Sequence, residues 1–230
     1  MSSPTPRRDF LSQLATLTAA AAVGGACAPA HQTQAGAAPT PARPASLTFD
    51  DTWTGPVSAA KHKAVFDSPE VADGMGVWHV ATYLRGYKTV FNTADGEVKP
   101  VLVLRHEGTV LAMDDALWAK YALGKAVKYK DPRTKRWYTY NPVARAHHDD
   151  EKSYASSLLE AAIKSGVTVL ACNQALTGFA AQAAEERKQD RAATIEEFRK
   201  GLVPGVILQP SGVYATMRAQ EVGCVFMRST

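Results

Sequence analysis

Three cysteines, Cys27, Cys172 and Cys224, carry the most reactive side chains in this 230-residue chain. Cys172 stands out by position. It ends the apolar, β-rich run Val167-Thr-Val-Leu-Ala171, and Asn173-Gln174 open the segment that follows. A cysteine at the end of a buried strand and the start of a helix meets free N–H groups and the positive end of the helix dipole. Both favour thiolate over thiol, so Cys172 is a candidate nucleophile, able to carry a persulfide or hold a soft metal. The same position also suits a small buried apolar residue. Arg105 and His106 close a second apolar run, Val101–Leu104. The guanidinium suits an anion, and an imidazole there can share a proton with a nearby thiol or serve as a satisfied structural histidine. Asn173, Ser211 and Gly212, at two further junctions, are the candidate ligand-binding positions.

Other constellations point elsewhere. No Cys-x-x-Cys, Gly-rich phosphate loop, His-Glu-x-x-His or Gly-x-Ser-x-Gly is present, so no cofactor is expected. His147-His148-Asp149-Asp150 has metal-ligand residue types, but adjacent residues on a helix diverge, and a helix start suits them better. No metal ligand is assigned there. A Cys172–Cys224 disulfide stays open, since spacing does not settle geometry. Between residues 125 and 142, Lys and Arg alternate with Tyr129, Trp137, Tyr138 and Tyr140. That composition can track nucleic acid, but it also suits a solvated hairpin or a subunit contact, and the last is preferred because Trp and Tyr are enriched at interfaces. The net charge of +4 is spread over both signs, which argues against nucleic acid.

These residues need elements to position them. Lys63–Asp67 reads as a strand. Val77, Val80, Ala81 and Leu84 repeat at helical spacing. Lys99–Leu104 is a buried strand. Ala116–Leu123 reads as a helix between acidic Asp114-Asp115 and Gly124, and Ser153–Lys164 as another, stopped by Gly166. Val167–Ala171 is the clearest strand. A helix follows it, then a charged helix over Glu185–Lys200 with Thr194 and Glu197 spaced as a capping box. Val206–Gln209, a helix over Val213–Gln220 and a strand over Cys224–Met227 complete the chain. Strands that alternate with helices predict an α/β layered fold with a mainly parallel sheet. Ligands then bind beyond the carboxyl ends of the strands, the edge shared by Ser68, Arg105-His106, Cys172 and Ser211.

The N-terminus supplies an address. Arg7-Arg8 precede Phe10-Leu11, and the apolar run Leu14–Ala22 leads to small residues up to Ala30. This is the pattern of a twin-arginine export signal over residues 1–30. It predicts a periplasmic or otherwise exported protein with no transmembrane span once the signal is removed; lipid attachment at Cys27 is the alternative fate. Residues 31–60, rich in Pro, Ala and Thr, read as a disordered linker. Residues 61–230 form the domain.

The stretch Val167–Leu176 around Cys172 resembles the cysteine strand of the DsrE/DsrF-like sulfur-relay family. The tail resembles it too: Leu202-Val-Pro-Gly-Val206, Gln209-Pro-Ser-Gly-Val213 and Gln220-Glu-Val-Gly223. Arg105-His106 and Leu117-Trp-Ala-Lys-Tyr121 resemble an exported subgroup. The resemblance implies a flavodoxin-like three-layer α/β sandwich assembled as a dimer, trimer or hexamer. It also implies a persulfide on Cys172, with a small sulfur species or a thiol protein as partner. The alternative is a non-catalytic binding or assembly module with a structural cysteine. The long charged segment between Leu176 and Leu202 and the basic insertion at 125–142 depart from the family pattern.

Overall fold

The computed structural model describes residues 47–230; the expected export signal, Cys27 and most of the expected linker lie outside them. The elements are α1 (Thr54–Ala59), β1 (His62–Ser68), α2 (Met75–Phe91), β2 (Val98–Leu104), α3 (Asp115–Tyr121), α4 (Leu123–Ala126), α5 (Leu159–Lys164), β3 (Thr168–Cys172), α6 (Asn173–Arg187), α7 (Arg191–Lys200), β4 (Val206–Gln209), α8 (Gly212–Glu221) and β5 (Val225–Arg228). Three 3-10 segments, Ala72–Gly74, His106–Ala112 and Asp149–Ser157, connect them.

The five strands form one sheet of order β4-β3-β2-β1-β5, and every pairing is parallel. Helices cover both faces, so the fold is a three-layer α/β sandwich of flavodoxin-like layering. The strand order differs from the 2-1-3-4-5 of flavodoxin itself. Double coverage explains why β2 and β3 are apolar on consecutive residues: Val101 to Leu104 are all fully buried. Alternate residues feed two cores. Phe66, Leu102, Leu104, Val169 and Ala171 meet α2, α3, α6 and α7. Val65, Val101, Val103 and Leu170 meet α1 and α8.

The folded unit starts before residue 61. Trp53 and Val57, in the segment expected as linker, are buried in the second core. Two aromatic and branched side chains on a single helical turn suffice to dock that turn, and a low average content of large apolar residues hides them. No helix among the described residues is long and apolar enough to cross a membrane.

Helix ends differ from expectation where backbone conformation intervenes. The helix expected to end at Gly124 ends at Ala122 in the left-handed region, φ 51°. Gly124 instead lies against the Tyr138 backbone, where a side chain would meet Tyr138 N at 2.9 Å. The helix expected over Ser153–Lys164 is α-helical only from Leu159, because Leu158 is extended. The charged helix over 185–200 is broken at Lys188, φ 53°. Asp190 caps α7 by accepting the Ala193 N–H at 2.7 Å. Thr194 therefore lies inside α7, its hydroxyl donating to the Asp190 carbonyl at 2.8 Å, and the expected capping box does not form.

The tyrosines of the basic-aromatic insertion pack inward, while its lysines, arginines and Trp137 stay exposed. Lys130 and Trp137 form an antiparallel bridge. Tyr138 is buried, with Tyr129 and Tyr140 edge-on at 4.9 and 5.3 Å.

Candidate functional site

The parallel sheet brings the carboxyl ends of β1, β2, β3 and β4 to one edge. Leu104 pairs with Ala171, and Cys172 pairs with Gln209. Arg105 and Cys172 are the next residues of neighbouring strands, so Arg105, Cys172 and Gln209 form a row on the α8 face. Adjacent members of such a row are about 5 Å apart at the backbone.

Cys172 is both the last residue of β3 and the N-cap of α6. Its Sγ accepts the Ala175 N–H at 3.3 Å. A sulfur thus replaces the oxygen that usually satisfies a first-turn donor. The side chain is largely covered, 6% exposed.

Arg105 is fixed from two sides. Its Nε and Nη2 donate to Asp67 Oδ1 and Oδ2 at 2.6 and 2.7 Å, a bidentate pair. The Asp67 side chain is only 5% exposed, whereas that of Arg105 is 29% exposed. The hydrogen bonds to Asp67 raise the guanidinium above its ordinary value against the opposing effect of desolvation, and the charges of Asp67 and of an ionised Cys172 add to the rise. Gly212 lies directly on the arginine stem, where a side chain would come within 2.7 Å of Cδ. Ser211 caps α8, its Oγ accepting the Tyr214 N–H at 3.1 Å. The remaining first-turn N–H groups of α8 open onto this edge.

Other predicted positions lie elsewhere. His106 is exposed, in the left-handed region at φ 53°. It lines a separate cavity of about 450 Å³ with Val127, Ala175 and Phe179. It takes no part in the Arg105–Asp67 pair. Asn173 faces α7, its Oδ1 accepting Arg199 Nε at 3.1 Å. Ser68 is buried against Gly76 on the opposite face of the sheet. His147 and His148 diverge, one against the Asn141 carbonyl at 3.1 Å and the other against the Tyr140 hydroxyl at 3.0 Å. Cys172 and Cys224 are both free thiols. β3 and β5 stand three strand spacings apart, about 14 Å, beyond the reach of a disulfide.

Two residues of the edge are absent from the sequence-based set. Asp67 is visible in the sequence as a carboxylate in an otherwise apolar strand, but its partner is set by strand order. Gln209 is fully buried; its Nε2 donates to the Asp50 carbonyl at 2.7 Å, and its Oε1 has no partner among the described residues. An unpaired buried acceptor beside a thiol leaves one hydrogen-bonding position open to a bound group. Comparison with models of known protein families and with curated proteins finds no match.

Proposed function

We propose that the protein is an exported, DsrE-like sulfur-handling protein in which Cys172 carries sulfur as a persulfide. The observation that carries this reading is the environment of the Cys172 sulfur: a helix N-terminal N–H at 3.3 Å and the Arg105 guanidinium in the next strand. Both favour negative charge on sulfur. The step needs no external oxidant. The Cys172 thiolate attacks the outer sulfur of a donor persulfide, the donor S–S bond breaks, and a new S–S bond forms on Cys172. The departing donor thiolate takes up the proton that Cys172 released. Arg105 and the first turn of α8 stabilise the anionic persulfide. The export setting rests on Arg7-Arg8 and the apolar run after them, which lie outside the described residues.

Mass spectrometry of the reduced protein after incubation with glutathione persulfide tests the reading. One added sulfur on Cys172, absent from Cys172→Ala, is the expected result. No adduct on Cys172 with this donor and with thiosulfate would overturn it.

A second reading is favoured by one observation, the covering of Cys172. In it the thiol serves only as a helix cap in a binding or assembly module. Slow alkylation of native Cys172, together with unchanged assembly of Cys172→Ser, distinguishes this reading from the first.

A further inference from the structure

A cavity of about 570 Å³ opens beside the N-terminal half of α2, between that helix, the insertion at 125–142 and the 3-10 segment Asp149–Ser157. It is separate from the Cys172 edge: none of its lining residues belongs to the row of Arg105, Cys172 and Gln209. Its size suits a small organic molecule.

Its walls are aromatic. Trp78 and Tyr154, 41% and 49% exposed, keep large ring surfaces uncovered at its mouth, and Tyr129 and Tyr138 stand further in. None of the three phenol hydroxyls is hydrogen-bonded to the protein among the described residues. Exposed rings and open hydroxyls that converge on one cavity are what an amphipathic ligand requires.

Two opposite charges mark the cavity. Asp73 has no salt-bridge partner among the described residues and lies close to Tyr129; burial first, then the Asp73 charge, holds that phenol above its ordinary value. The other lining carboxylate, Glu151, is already satisfied by the His147 N–H at 2.7 Å, the His148 N–H at 3.2 Å and Arg133 at 3.1 Å. At the far side, Arg85 has no carboxylate partner among the described residues. Its guanidinium stacks over Trp78 at 5.6 Å and donates to Ser157 Oγ at 2.7 Å.

The backbone at Asp73 is held in an uncommon state. Ala72, Asp73 and Gly74 are consecutive left-handed residues, with φ of 39°, 51° and 80°. Such conformations are costly for non-glycine residues and cluster at binding sites.

We infer that this cavity binds a small zwitterion with an apolar spacer, its ammonium on Asp73 among the tyrosine hydroxyls and its carboxylate on Arg85. The aromatic walls cover the spacer, and the paired ends favour it over molecules that carry a single charge.

Calorimetric titration of the full chain with straight-chain ω-amino acids, from aminobutanoate to aminooctanoate, tests the inference. Hexanoate and hexylamine are the single-charge controls. One chain length should bind saturably and at least about ten-fold tighter than either control. Asp73→Asn and Arg85→Gln should each weaken that binding about ten-fold or more. Asparagine tolerates the left-handed region, so Asp73→Asn keeps the fold; an unchanged melting temperature checks this. No saturable binding of any chain length overturns the inference, as does binding equal to that of a control or unaffected by both substitutions.

Discussion

Asp67 and Arg105 are unequal partners, and their substitutions should differ accordingly. Without Asp67 the arginine can turn towards water, since its side chain is already 29% exposed; without Arg105 the nearly covered carboxylate is stranded. Asp67→Asn should therefore cost about 1 kcal/mol and Arg105→Ala about 2–4 kcal/mol in urea denaturation. Equal costs would mean that the pair is not held as described. Cys224 makes a second prediction at this scale. Burial pushes its thiol up to about 11. In the unfolded chain the thiol ionises at its ordinary value, about 8.5. Between these values the unfolded chain gives up a proton that the folded chain keeps. Stability is therefore unaffected by this group below the lower value and falls as pH rises towards the upper one, by up to about 3 kcal/mol. Melting temperatures across that window should decline less in Cys224→Ala. Tyr83, raised by burial first and then by Tyr87, contributes a decline that remains in this variant.

At the scale of elements, Gly212 decides how closely α8 approaches the sheet. A methyl group at an ordinary helix position usually stabilises, because glycine loses more backbone entropy on folding. Here it would strike the Arg105 stem. Gly212→Ala should accordingly destabilise the fold by about 1–3 kcal/mol, read as a lower urea midpoint. A raised midpoint would show that the stem can move aside freely. The elements themselves were legible to differing degrees. β2 and β3 were clear because continuous apolar runs bounded by polar residues have few other uses. The ends of α3 and α6 were not, because Ala122 and Lys188 adopt left-handed conformations that their residue types do not advertise. The apolar side chain of Leu158 suits the buried face of the helix expected over Ser153–Lys164. The structure extends Leu158, and the next two residues donate their N–H groups to the Val143 and Ala144 carbonyls at 2.8 and 3.0 Å.

For the whole molecule, the exposed edge matters most. Among the described residues β5 pairs only with β1, and Val225, Phe226 and Met227 are 67%, 50% and 43% exposed. Phe226 is in register with Val65, on the face covered by α8, whose Val213, Tyr214 and Met217 are also exposed. An uncovered apolar edge strand is a pairing surface, and a two-fold axis lets the same strand serve both copies. The expected homo-oligomer is therefore proposed to form here, with a second copy as the occupant. Phe226→Glu should weaken self-association about ten-fold or more in sedimentation velocity and alter monomer stability by less than about 1 kcal/mol. Unchanged association would place the interface elsewhere.

The sequence by itself determined the α/β class, the alternation of strands and helices, and the gathering of Arg105, Cys172 and Ser211 at the carboxyl edge. Those follow from local periodicity and from the rule that parallel strands end on one side. Only the tertiary structure decided which of those residues share a face. Arg105 joins Asp67 and Gly212, while His106, one residue on, turns at a positive φ into another cavity. The pleat and the strand order set those partnerships, and neither is a property of any short stretch of chain. The environment of Cys172 is divided in the same way. Its place between strand and helix was written in its neighbours, but its covering and the open Gln209 oxygen beside it depend on strands more than thirty residues apart.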